Sequence, residues 1–150
     1  MKFVIQRVKQ ASVTVEGKTI SEIGPGFLVL IGVGKEDTKE IADGMIRKML
    51  GLRIFADENG KTNLSLKDTG GRLLLVSQFT LCANCRKGNR PGFSDAAGAE
   101  LAASLYEYIL AHCEAQTGES VGRGIFGADM EVSLVNDGPF TILLDSCEIL

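Results

Sequence analysis

Histidine occurs once in this chain and tryptophan not at all. A hydrolytic triad needs a histidine base. The sole candidate, His112, falls on the apolar stripe of an expected helix, where a core or helix-end role suits it better. A Ser-His-Asp site is therefore not expected, and no Gly-x-Ser-x-Gly elbow, phosphate loop or dinucleotide fingerprint is present. Long apolar runs are missing too. The longest candidate, Gly26 to Val33, is strand-sized, so no membrane span is expected. The opening stretch, Met1 to Arg7, lacks the apolar core and small-residue cleavage site of a signal peptide. The expected compartment is the cytoplasm. There is no basic excess either: the net charge of −3 speaks against a protein that coats nucleic acid, while leaving room for a local basic patch.

Cysteine is present four times, as Cys82, Cys85, Cys113 and Cys147. In the cytoplasm these are expected to be reduced. Cys82-Ala83-Asn84-Cys85 has the spacing of a redox pair or of half a zinc site. Zinc needs two further ligands, and the flanks of Cys113 and Cys147 are ordinary helix and strand. Reduced thiols beside a loop are the favoured reading, with no metal and no cofactor.

What the sequence does hold is strand-forming material. Its 150 residues fit one domain, 1–150, and 45% hydrophobic content suffices for a core. Eighteen glycines punctuate short apolar runs. Strands are expected at Phe3 to Val8, at Ser12 to Val15 turning back through Glu16-Gly17-Lys18 as a hairpin, and at Phe27 to Ile31. Arg72 to Gln78 follows as a second buried strand, and Met130 to Val135 and Phe140 to Leu144 as the last two. The continuous apolar character of Phe27 to Ile31 predicts burial on both faces. One helix is predicted after Asp37, with an Asp37/Glu40 capping box and a stripe of Ile41, Met45, Met49 and Leu52. A second is predicted from about Asp95 to Cys113, with Leu101, Leu105, Tyr108, Ile109 and His112 on one stripe. The expected fold is α/β: two sheet layers (β/β/α, partly barrel-like) with two main helices covering one face.

Two segments stand out. Ser77-Gln78-Phe79-Thr80 lies where a buried strand emerges, a place able to present backbone N–H groups and a hydroxyl. Asn136-Asp137-Gly138-Pro139-Phe140-Thr141 lies between two strands, and its proline marks an edge or turn. From residue types alone, each is an ordinary strand end or connecting turn.

Together, in this order and spacing, they resemble the signature pair of the D-aminoacyl-tRNA deacylase family. The resemblance runs the length of the chain. It includes Ile5-Gln6-Arg7-Val8, Ala11 to Val15, Arg53-Ile54-Phe55, Asn59-Gly60-Lys61 and Asn63-Leu64-Ser65. It continues through Arg86-Lys87-Gly88, Arg90-Pro91, Phe93-Ser94 and Phe126 to Met130. Gly92, Thr62 and Phe140 depart from residues commoner in the family, where Ser, Met and Val are usual.

The resemblance implies a homodimeric hydrolase that cleaves the ester of D-aminoacyl-tRNA, and of glycyl-tRNA mischarged on tRNA(Ala). It would be a chiral proofreader that rejects L-aminoacyl-tRNA. Gly138-Pro139 would be joined by a cis bond, would enter the partner subunit's site, and would hold the substrate's α-ammonium group through backbone carbonyls. Ser77, Gln78, Phe79 and Thr80 would form the catalytic strand end, with N–H groups stabilising an oxyanion. Thr80 would act either as nucleophile or, preferably, by orienting a water and the 2′-hydroxyl of the terminal adenosine. Phe79, Phe126 and Met130 would shape the adenosine pocket, and Arg7 would brace Gly138-Pro139. Arg86, Lys87 and Arg90 would meet acceptor-stem phosphates. The partners implied are the 3′ end and acceptor stem of an aminoacyl-tRNA. A non-catalytic tRNA- or RNA-binding module would need the basic loop but not Thr80. A redox protein would need Cys82 and Cys85, and a general esterase would accept L-esters.

Overall fold

The computed structural model describes residues 1–150. Its elements are β1 (Lys2–Val15), β2 (Lys18–Ile23), β3 (Gly26–Gly32), α1 (Lys39–Leu50), β4 (Arg53–Ala56) and β5 (Thr62–Ser65). They continue with α2 (Leu66–Thr69), β6 (Arg72–Ser77), a 3-10 turn (Phe79–Cys82), α3 (Ala99–Thr117), β7 (Gly122–Arg123), β8 (Glu131–Asp145) and α4 (Ser146–Ile149).

β1 organises the main sheet. Along one edge it pairs antiparallel with β3 and then, further along the chain, with β2; along the other it pairs with β8. β3 continues the sheet in parallel to β6, and β6 to β7. The sheet curls so that β2 approaches β7, where the Arg123 amide donates to Ser21 Oγ at 2.9 Å. β4 and β5 form a separate two-stranded sheet.

The period-2 alternation of strands divides the apolar residues between two cores. Phe27, Val29 and Ile31 of β3, with Leu73 and Leu75 of β6, join Phe3 and Ile5 under the helices. Leu28 of β3 and Leu74 and Val76 of β6 point the other way, into the curl, with Val8, Ala11, Val13 and Ile23. β1 changes which side its odd-numbered residues serve between Val8 and Ala11, where Lys9 is an extra residue against β8. The barrel-like sheet, the second small sheet and the covering helices are the architecture expected, and the buried β3 and β6 account for the unbroken hydrophobic runs.

Several local expectations are corrected. The first two predicted strands are one strand of 14 residues. The last two are likewise one strand, β8, interrupted by a bulge described below. α1 is capped by Thr38, whose side chain accepts from the Ile41 amide. Asp37 is engaged elsewhere: its Oδ1 accepts from the Met1 ammonium at 2.7 Å and its Oδ2 from the Gly34 amide at 2.6 Å. α3 begins at Ala99 rather than near Asp95, and its buried stripe is Ala102, Leu105, Tyr106, Ile109, Leu110 and Cys113. Leu101 is exposed and Tyr108 and His112 are only half-buried. His112 faces Asp43, 3.3 Å from Nδ1, in the groove between α1 and α3. No helix is long and apolar enough to cross a membrane.

Burial pushes the Cys113 thiol up to about 12, and burial also raises the Tyr106 phenol. Each group is held neutral in the fold and ionises more readily once unfolded. The Cys113 contribution is intact below pH 9 and is lost as pH rises from there toward 12, at up to ~1.4 kcal/mol per pH unit, while that of Tyr106 is intact up to its ordinary value of 10.0 and is lost only above it. Cys113→Ala is therefore expected to shallow the alkaline fall in stability between pH 9 and 11, as followed by urea denaturation at stepped pH. A slope identical to that of the parent would mean Cys113 ionises freely in the fold.

Candidate active site

β6 pairs with β3 along its whole length and with β7 at Leu74 and Leu75, which fixes the path of the strand toward its C-terminal end. The ladder with β3 reaches Ile31↔Ser77, and the Gln78 amide adds one more bond to Ile31 O at 2.7 Å. The chain then turns sharply into Phe79–Cys82. Gly32 makes room for that turn: a Cβ there would lie 2.8 Å from Leu81 Cβ and 3.3 Å from Gln78 O. Within the turn Leu81 N bonds Gln78 O and Ala83 N bonds Thr80 O, while the Phe79 and Thr80 amides, at the start of the turn, have no acceptor within it. Ser77 and Gln78 are half-buried, and Phe79 and Thr80 are exposed. All four predicted catalytic residues thus share one strand end, where the first two amides of the turn are unbonded within it.

The side chains are ordered by one another. Gln78 Nε2 donates to Thr80 Oγ1 at 2.7 Å. That bond occupies the hydroxyl as acceptor and leaves its proton to be donated elsewhere. Phe79, 53% exposed, meets Phe93 edge-on with ring centroids 5.0 Å apart, so an aromatic wall stands beside Thr80.

Phe126 and Met130 sit on the segment after β7. Tyr106 ties that segment to β6: its hydroxyl donates to Leu75 O at 2.7 Å and accepts from the Gly124 amide at 3.1 Å. Phe126 packs against the Tyr106 ring at 6.3 Å, and Met130 packs on the core inside the curl, its sulfur close over Gly124. Phe126 and Met130 are both half-buried. Tyr106 is a positioning residue that sequence reasoning missed, because the predicted stripe of α3 chose Tyr108.

The second motif lies midway along the β1–β8 pair. Gln6 pairs with Thr141 and Val8 with Asn136, so the four residues Asp137 to Phe140 bulge out opposite Arg7 alone. Asn136 closes the bulge: its Oδ1 accepts from the Phe140 amide at 2.7 Å, and its Nδ2 donates to Thr141 Oγ1 at 3.2 Å. Arg7, its side chain only 14% exposed, holds the bulge from beneath. Its Nε donates to Asp137 O at 2.9 Å and its Nη1 to Ile54 O at 2.5 Å, and its guanidinium lies 4.6 Å from the centre of the Phe140 ring. The Gly138–Pro139 peptide is cis. Phe140, one of the three departures noted above, supplies a face for Arg7. Gly92, another, pairs with Asn84 across the loop and has only an ordinary contact at 3.8 Å where a Cβ would stand.

The register also separates the two motifs. Arg7 is level with Phe27 and Leu73, and Phe3 is level with Ile31 and Ser77. Four rows and three strand spacings lie between the bulge and Ser77, about 20 Å along the sheet. Arg86, Lys87 and Arg90 are exposed on the loop that leaves the 3-10 turn, and none forms a salt bridge.

This arrangement can be set beside known proteins. The family model described as D-Tyr-tRNA(Tyr) deacylase matches residues 4–145. The chain belongs to the D-aminoacyl-tRNA deacylase family. Members of this family are hydrolases. A D-aminoacyl-tRNA deacylase of Thermosipho africanus is 55% identical over 99% of both chains. That of Clostridioides difficile is 56% identical over 97% of both. Among solved structures, a c-Myc DNA unwinding element binding protein is 46% identical with a TM-score of 0.92, covering 97% of this chain and 98% of that one. A probable eukaryotic D-amino acid tRNA deacylase shares the fold with a TM-score of 0.85 at 18% identity, covering 95% of this chain and 97% of that one.

Proposed function

We propose that this deacylase-family chain hydrolyses the ester of D-aminoacyl-tRNA, and of glycyl-tRNA on tRNA(Ala), and rejects L-aminoacyl-tRNA through Gly138-Pro139 presented to a second copy. The observation that carries the reading is the bulge at Asp137 to Phe140. It is extruded from the ladder, closed by Asn136 and held by Arg7, so the Gly138 and Pro139 carbonyls between these grips sit on a rigid support. Such carbonyls suit an α-ammonium group and are indifferent to which D side chain points away. Glycine, with no side chain to exclude, passes the same filter.

The separation of the motifs within one chain supports assembly of the site between two chains. β8 also favours a second copy. Its outer edge is unpaired, and Val135 and Leu143 are exposed along it. At the strand end, the Phe79 and Thr80 amides that open the turn suit the oxyanion of a tetrahedral intermediate, a role often worth about 3 kcal/mol per donor. No base bonds to Thr80, and Gln78 already donates to it, so the hydroxyl serves as an orienting donor rather than a nucleophile. A positioned water attacks, aided by the 2′-hydroxyl of the terminal adenosine. Phe79, Phe126 and Met130 bound the adenosine.

The direct test uses matched D- and L-aminoacyl-tRNA and glycyl-tRNA(Ala), with release of the amino acid followed over time. Hydrolysis of the D and glycyl esters with the L ester intact is expected. Equal turnover of D and L esters would make the protein a general esterase. Binding without turnover would make it a tRNA-binding module.

Arg86 and Lys87 are assigned to phosphate contact. Neutralising both is expected to weaken tRNA binding several-fold at low salt and to reduce the log–log salt slope by about 1 to 2, leaving single-turnover rate at saturation unchanged. An unaltered salt slope would return these residues to a merely solvated loop.

A further inference from the structure

Three of the four cysteines line one cavity that the reaction does not use. Cys82 ends the 3-10 turn, Cys85 lies at the base of the basic loop, and Cys147 lies in α4 after β8. With Met1, Asp37, Asn84 and Arg86 they surround about 550 Å³ of space. They are not alike. Cys82 is half-buried, its Sγ donates to Val33 O at 3.5 Å, and burial pushes its thiol up, so it carries little thiolate. Cys113, the fourth, is sealed in the core away from the cavity. Cys85 and Cys147 are both exposed. No three His, Cys, Asp or Glu side chains converge as they would around a metal ion.

We propose that Cys85 and Cys147 form a reversible disulfide across this cavity, making it a peroxide-responsive clamp on the basic loop. The pairing is therefore not the one that Cys-x-x-Cys spacing suggests. A peroxide oxidises one thiolate to the sulfenic acid: an S–O bond forms, the O–O bond breaks, and hydroxide leaves, taking up the proton that the thiol had released to become water. The second thiolate attacks that sulfur, the S–S bond forms, and hydroxide leaves and is protonated. In total two thiols lose two electrons and two protons, and the peroxide becomes two waters. A dithiol reverses the bond by exchange. The clamp ties the Asn84–Gly92 loop, with Arg86 next to Cys85, to the C-terminal turn. Lower tRNA affinity in the oxidised form rests on the phosphate-binding role proposed above for that loop.

The test treats the full chain with hydrogen peroxide, maps linked peptides without reduction, and follows hydrogen exchange of the loop. The expected result is a Cys85–Cys147 linked peptide, free Cys113, and slower exchange at the loop amides on the order of tenfold. All three should be reversed by dithiothreitol. Cys147→Ser, at an exposed position, should abolish both the link and the protection. A Cys82–Cys85 link, or sulfinic acid at Cys85 with no link, would overturn the proposal. Oxidised and reduced protein are then compared for tRNA affinity. A link that leaves affinity unchanged would count against the loop's role in binding tRNA while the redox site stands.

Discussion

Gly138→Ala is expected to lower kcat/KM for D-aminoacyl-tRNA by on the order of 100-fold while the protein stays folded. Gly138 has φ +152, a backbone conformation that side chains strongly disfavour. A Cβ there would lie 2.7 Å from the Phe140 amide nitrogen and 3.1 Å from Phe140 Cβ, with Arg7 Nη2 at 3.4 Å. The closest of these is backbone, so no rotamer change relieves it and the bulge itself must move. Arg7 and Asn136 grip its two ends, and displacement therefore falls on the carbonyls between them. Hydrogen bonds to a charged group are worth roughly 1.5–3 kcal/mol, and each 1.4 kcal/mol is a factor of ten. Losing the grip on the α-ammonium thus gives the expected scale. Stability should change little, because Asp137 to Phe140 have no partners in the β1 ladder. Steady-state kinetics and a thermal melt on the same preparation decide the matter. A folded Gly138→Ala protein with parental turnover would remove this segment from the site. If turnover survives in part, L-aminoacyl-tRNA should also begin to be cleaved, since the filter and the grip are the same carbonyls.

How much of this was legible beforehand differs from element to element. β3 and β6 could be read because burial on both faces leaves an unbroken apolar run, and the structure assigns alternate residues of each to different cores. The strand end at Ser77 to Thr80 could be placed for the same reason. The buried stripe of α3 differs from the expected one. Its apolar residues are too numerous for periodicity to fix the facing side, and the structure buries Tyr106 and Cys113 in place of Tyr108 and His112. β7, two residues long, and β5 carry no pattern that a window could detect. Asp37 looked like a cap because its spacing to Glu40 suits one. Its actual partners, the Met1 ammonium and the Gly34 amide, are set by tertiary folding. At the second motif, Pro139 announced an interruption. The family resemblance implied Arg7 as its brace; residue types alone do not, because the contact arises from strand register, which pairs residues 130 apart. Asn136 as the clasp of the bulge was likewise invisible.

Two inactive proteins are expected to rescue one another. The Gly138→Ala chain keeps an intact strand end, and a Gln78→Ala/Thr80→Ala chain keeps an intact bulge. The altered positions of the second are half-buried or exposed, so its fold should survive. Within either chain the two motifs lie about 20 Å apart along the sheet by strand geometry, too far for one substrate ester to meet both. In a two-fold dimer each site would combine one chain's strand end with the other chain's bulge. After random exchange of subunits in equal amounts, half of the dimers are mixed. Each mixed dimer holds one site with neither change and one with both. Activity should therefore return to about a quarter of the parent's, from far less in either preparation alone. Co-refolding the two chains, or expressing them together with different tags and purifying the mixed dimer, provides the measurement. In the purified mixed dimer the expectation rises to about one half, with L-aminoacyl-tRNA still refused because every working site carries an unaltered bulge. No recovery in a verified mixed dimer would place both motifs' functions within a single chain and reject the shared site. Recovery accompanied by cleavage of L-aminoacyl-tRNA would accept the shared site but move chiral selection away from Gly138.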